Sequence, residues 1–256
     1  MKLRVATPRD GVQWMLSGVQ MARHHTLGLA GLFGLQIFAL ALLLGLPWIG
    51  PVLVAALLPA LSAGWVEVSA AVQAGGRPQP SQWIGPLRSP ARPVLLRLGA
   101  LNALVSFLLL MLADLIDPGM ADAWATMRDS ETSAEATVDA IGALQQGMVL
   151  RAALLVPLAL TLWHAPVILV RTGAGLGKAL FISANASWRN LGAFVVFGVC
   201  WLVADLVLSL LLAGLLAALG LGQAAMLLVL PGAMIFSGAF YASLKASVEG
   251  CIDFED

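Results

Sequence analysis

Long apolar runs, almost free of charge, alternate along this chain with short polar segments. They cover residues 27–48, 52–73, 98–116, 149–170, 191–218 and 223–244. Each reaches the roughly 20 residues that carry a helix across a hydrocarbon core. The pattern therefore predicts an all-α fold: a polytopic membrane bundle of six transmembrane helices, paired as three hairpins.

The polar segments carry their own pattern. Thr7 and Asp10 have capping-box spacing, with Pro8 at the first helical position. Gln13, Ser17, Gln20 and His24 then line one face, opposite Val12, Met15, Leu16 and Val19. This predicts an amphipathic helix lying along the membrane surface. Residues 178–190 repeat the design, with Leu180, Phe181, Ala184 and Trp188 against Lys178, Asn185 and Arg189. Between residues 81 and 97, Pro86, Pro90 and Pro93 leave room for only a short helix. On the acidic side, Asp117-Pro118-Gly119 predicts a turn, and Ser133 opens a short helix carrying Ala134, Val138, Ile141 and Leu144. Residues 220–223 predict a tight connection between the last two spans.

The three returning spans each hold an internal proline after two branched aliphatics, at Pro59, Pro157 and Pro231. Trp65 and Trp163 lie six residues beyond the first two, and Ser237 takes that place in the third. The interval from Pro59 to Pro157 exceeds that from Pro157 to Pro231 by roughly the length of the acidic segment. The chain thus reads as a threefold helical-hairpin repeat with one insertion.

Composition agrees with a bilayer solvent: 60% of the 256 residues are hydrophobic and 11% charged, against roughly a quarter charged in globular domains. The net charge is zero, yet the two signs are segregated. Of 14 Lys and Arg, all but Arg128 and Arg151 fall in the amino-terminal segment, between spans two and three, between spans four and five, or at Lys245. The segment between spans three and four holds Asp117, Asp122, Asp129, Glu131, Glu135 and Asp139. By the positive-inside rule the basic segments are cytoplasmic, with both termini, and the acidic one is external. The chain is expected to form one integral membrane domain over 1–256, with a lead-in at 1–26, an acidic segment at 117–148 and a tail at 245–256. The first apolar run starts too late and runs too long for a cleaved signal peptide.

Ionisable groups inside spans are costly and are the first functional candidates. Glu67 and His164 are expected to form an inner polar level, and Asp205, Arg151 and Asp114 an outer one. At the membrane boundary, Trp14, Arg23, Trp83, Trp188, Arg189 and Asn190 are the candidate contacts for lipid or a partner. No catalytic, cofactor-binding or metal-binding set is read. Cys200 and Cys251 lie at different depths, and three histidines at positions 24, 25 and 164 make no metal-ligand spacing. The TGAGLGK stretch at 172–178 comes directly after a membrane helix and lacks P-loop spacing, so it reads as a flexible linker.

Four segments carry a resemblance: MKLRVATPRDGVQWMLSGVQMARHH at the amino terminus, LPALSAGWVE in span two, WHAPVILV in span four and FISANASWRNLGAFVVFGV entering span five. Together they resemble an uncharacterised family of proteobacterial multi-pass inner-membrane proteins. More distantly, the arrangement is similar to the polytopic region of membrane-linked glycerophosphodiester phosphodiesterases, without their catalytic domain. The resemblance implies location and architecture, with no substrate or catalytic residue to carry over. The expected function is that of a non-enzymatic accessory protein associated with lipid, through anionic phospholipid head groups, or with another membrane protein, and not with nucleic acid. A small-solute transporter is the alternative, motivated by the prolines and the intramembrane polar groups.

Overall fold

The structure, a computed structural model, describes residues 1–129, 133–220 and 225–254. Among these, six helices are long and apolar enough to cross a membrane. Helix α1 (Pro8–His24) leads into α2 (Thr26–Leu44), and a short turn returns the chain through α3 (Gly50–Gln73). Two single-turn helices, α4 (Pro80–Trp83) and α5 (Gly85–Arg88), precede α6 (Arg92–Ile116). Helix α7 (Gly119–Arg128) and the long α8 (Ala134–Leu162) are next. Then come α9 (Ala165–Thr172), α10 (Leu176–Arg189), α11 (Leu191–Ala218) and α12 (Ala225–Cys251). Strands β1 (Lys2–Leu3) and β2 (Ile252–Asp253) pair antiparallel, so both termini meet at one end of the bundle. The Arg4 guanidinium reaches the Asp253 carboxylate at 2.6 Å across that pair.

The helices divide into two zones along their length. Buried side chains gather toward the terminal, basic end: from Pro59 to Val72 on α3, Leu95 to Ala103 on α6, Ala165 to Leu169 on α9, and Ala239 to Cys251 on α12. The other halves expose large apolar groups, including Phe38 and Leu42, Phe107 and Leu115, Leu210 and Leu211, and Val229 and Leu230. Lipid tails are as apolar as leucine, so helix association inside a bilayer gains nothing from hiding such side chains and rests on close backbone packing. Gly99 supplies one such approach, since a Cβ there would stand 1.8 Å from the Ala56 carbonyl oxygen. Gly64 does the same for α4, where a Cβ would lie 1.8 Å from the Trp83 carbonyl oxygen.

Several local expectations change. Helix α1 packs between α11 and α12 rather than presenting Val12, Met15, Leu16 and Val19 to a membrane surface. Its buried stripe is Gly11, Trp14, Gly18, Met21 and Ala22, while Leu16 is exposed. The reason is steric: without side chains, Gly11 sits against the Ala193 carbonyl and Gly18 against that of Ala239. Before α6 only the two single-turn helices form, in keeping with the expected short helix there, and Pro80, Pro86 and Pro93 take the first positions of α4, α5 and α6. The external helix opened by Ser133 does not stop before the fourth span. Ser133 accepts a hydrogen bond from the Ala136 N–H at 3.2 Å, and α8 continues unbroken through Pro157 to Leu162. The break falls at Trp163 and His164 instead, just before the point where Pro166 opens α9. Thr172–Lys178 is a tight corner and not a linker, because Gly173 ends α9 with a φ of 63° and Gly175 caps α10. The expected connection over residues 220–223 lies outside the described residues beyond Gly220, as does Glu131.

Candidate functional site

At the basic end the core is aromatic and crosses most of the bundle. Trp14 of α1 meets Phe194 and Phe197 of α11 at ring-centroid distances of 5.3 and 6.0 Å. Trp163 packs edge-on to Phe194 at 5.3 Å and donates its indole N–H to Ser247 Oγ at 2.9 Å. Phe197 touches Trp201 and Phe240, and Trp201 meets Phe236 at 5.1 Å. Tyr241 completes the chain by stacking on Trp65 at 5.1 Å. The FISANASWRNLGAFVVFGVCW stretch thus supplies one wall of this core.

Two amides, Gln36 and Asn102, organise the polar contacts among the spans, and neither was singled out from the sequence. Gln36, buried in α2, accepts the Trp65 indole N–H at 2.6 Å and also hydrogen-bonds Tyr241. Asn102 of α6 donates through Nδ2 to the Ala55 carbonyl at 2.8 Å. That carbonyl lies four residues before Pro59, whose missing N–H would otherwise leave it orphaned in α3. Their signal was available: single amides in otherwise apolar runs. The ionisable groups drew attention because they cost more, but an amide is the cheaper way to satisfy a backbone inside lipid.

The candidate residues separate. Glu67, half-buried, lines a cleft of about 470 Å³ with Gln82, Pro86 and Ser89. His164 is fully buried at the α8–α9 break against the Phe194 ring, 5.7 Å away, and neither ring nitrogen has a partner among the described residues. His164 does not line the Glu67 cleft. At the opposite end, Arg151 pairs with Asp114, lies 3.8 Å from Asp117, and donates to the Gly147 carbonyl at 3.0 Å. Asp205 stays apart, exposed on α11 and without an ion pair among the described residues. Beside the Arg151 cluster, α7 and α8 pack through Ala123, Ala140 and Leu144.

The boundary residues separate as well. Arg23, Trp188 and Arg189 are exposed. Trp14 and Trp83 are 4% and 5% exposed, so they belong to the core and not to the lipid boundary. Asn190 is also internal: it accepts the Ala6 N–H at 2.5 Å and donates to the Arg4 and Ala186 carbonyls at 3.0 and 2.8 Å. It fastens the amino-terminal strand to the α10–α11 corner. Ser183 plays a comparable part for α9, accepting the N–H groups of His164 and Ala165 at 3.0 and 3.1 Å.

The chain is similar to a protein named as a probable inner membrane protein of Burkholderia thailandensis, with 28% identity over 261 residues that cover 100% of this chain and 96% of that one. Six apolar helices stand beside that likeness. The chain is a multi-pass integral protein of the inner membrane. No protein-family model matches it. No solved structure does either. What distinguishes the basic end is a rim of exposed cations. Among the described residues no ion pair holds Arg9, Arg23, Arg77, Arg88, Arg92 or Arg97. Arg171 pairs with Glu249 at 3.3 Å and lies over the Phe254 ring. Groups of three or more His, Cys, Asp or Glu that could hold a metal ion are absent among the described residues.

Proposed function

We propose that this protein is a non-enzymatic accessory of the inner membrane which gathers anionic phospholipid head groups at its basic rim and presents them, or itself, to another membrane protein. The observation that carries the reading is the set of exposed arginines in the basic segments that no ion pair holds among the described residues, in a chain whose core at that end is packed and aromatic. Guanidinium groups held at a membrane boundary recognise phosphate oxygens through paired N–H donors. Both termini and the rim lie in the cytoplasm, an orientation supported by the excess of Lys and Arg at that end. The acidic α7–α8 cap then faces outward. The expected resemblance to the polytopic region of glycerophosphodiester phosphodiesterases finds no support in the matched relative or in any family model, and adds nothing to this reading.

The transport alternative needs a wet route joining the intramembrane polar groups. Its support is thin, because the Glu67 cleft is walled by neither His164 nor Asp205, and His164 is closed off by its neighbours. The test extracts the protein with its surrounding bilayer, without detergent, and identifies the lipids and proteins that accompany it. The accessory reading expects anionic phospholipid enriched over a control membrane protein of similar size. Equal lipid composition and no enriched protein would overturn it.

A further inference from the structure

A lateral cleft of about 380 Å³ opens where α1 gives way to α2, between α11 and α12. Its volume falls within the roughly 300–1,000 Å³ of small-molecule sites. A helix with side chains is about 10–12 Å across and does not enter such a space. Val19, Leu208, Ile235 and Phe236 make its walls apolar, and no carboxylate lines it. Arg23, exposed and without an ion pair among the described residues, stands at its rim. Trp201, only 6% exposed, lines its interior with the other apolar walls.

We propose that this cleft is the seat of one anionic glycerophospholipid. One acyl chain occupies the apolar groove, and the phosphate pairs with Arg23. The absence of a carboxylate from the lining selects against head groups that carry an ammonium, which would find no counter-charge there. The inference rests on the accessory reading and gives it a defined site. It also accounts for the way α1 is wedged between α11 and α12, since that wedge holds the two helices apart and forms the cleft floor.

Native mass spectrometry of the intact protein in neutral detergent, titrated separately with phosphatidylglycerol and phosphatidylcholine, reads the first lipid adduct. Wild type is expected to bind phosphatidylglycerol more tightly. Arg23→Gln lowers its occupancy at least about tenfold, as expected for a charge-assisted contact. Gly232→Leu fills the groove and removes the adduct for both lipids; a Cβ at Gly232 meets only Leu212, at 3.5 Å, so the backbone tolerates it. Leu208→Ser makes a wall of the groove polar and lowers binding of both lipids about fivefold. It keeps the proposal falsifiable if the Gly232 variant fails to fold. Arg128→Gln, at the acidic end, leaves binding unchanged. If phosphatidylglycerol is preferred but Arg23→Gln and Leu208→Ser bind like wild type, the cleft proposal is overturned and the rim reading stands. If wild type shows no preference, both are overturned.

Discussion

Pro59 has no N–H to give Ala55, and the Asn102 amide on the neighbouring helix answers that carbonyl at 2.8 Å. The two residues therefore form an energetic unit, which a double-mutant cycle measures. Asn102→Ala should cost about 1 kcal/mol in the native background, in the range found for hydrogen bonds between membrane helices. In a Pro59→Ala background the backbone regains its own donor, and the same substitution should cost less than half as much. Equal costs, read from unfolding in bicelles, would contradict the pairing. His164 presents the opposite case. It is buried without a hydrogen bond to its ring among the described residues, so His164→Leu is expected to be neutral or to stabilise the protein by up to about 1 kcal/mol, since an unmet polar group is replaced by an apolar one. A loss above about 2 kcal/mol would show that the imidazole has a structural bond. The sequence placed both His164 and Glu67 inside spans but could not tell that they face different surroundings. Depth comes from residue spacing, whereas the facing direction depends on how α3, α9 and α10 pack.

Among the elements, α1 is where sequence pattern and structure part most clearly. The polar stripe of Gln13, Ser17, Gln20 and His24 is legible and marks the helix. The apolar stripe is not sufficient, because the residues that seat α1 are Gly11, Gly18 and the Trp14 between them. A hydrophobicity pattern gives glycine no weight, although its lack of a side chain decides which helix face can approach a partner. The consequence is testable. Gly18→Val places a Cβ 2.3 Å from the Ala239 carbonyl oxygen and should cost about 3 kcal/mol or more while raising amide exchange across residues 8–24. Leu16→Ala should change stability by no more than about 0.5 kcal/mol, since that side chain is exposed. A helix held on the membrane surface by its Val12 to Val19 face would give the reverse order. Pro80, Pro86 and Pro93 teach a related lesson: each fits the first turn of a new helix, a role set by the helix-forming residues on its carboxyl-terminal side.

At the scale of the whole molecule, six spans were legible because length and absence of charge are summed over some twenty residues, and no local error of a residue or two disturbs such a sum. The division into a packed basic half and a lipid-exposed half was not, since both halves have the same apolar character. Only the placement of small residues such as Gly64 and Gly99, and of amides such as Gln36, separates them. The interior placement of Trp83 and Asn190 escaped the sequence for the same reason, as the cations beside them suggested a boundary. All of this hangs on how the bundle is threaded through the bilayer. Single cysteines introduced at Asp122, Asp139, Lys2 and Asp253, in a chain whose Cys200 and Cys251 are replaced by alanine, decide it by labelling intact spheroplasts with a membrane-impermeant maleimide. The account predicts rapid labelling at positions 122 and 139, and at positions 2 and 253 only after the membrane is opened; labelling of positions 2 or 253 in intact spheroplasts, or protection of 122 and 139, would contradict it.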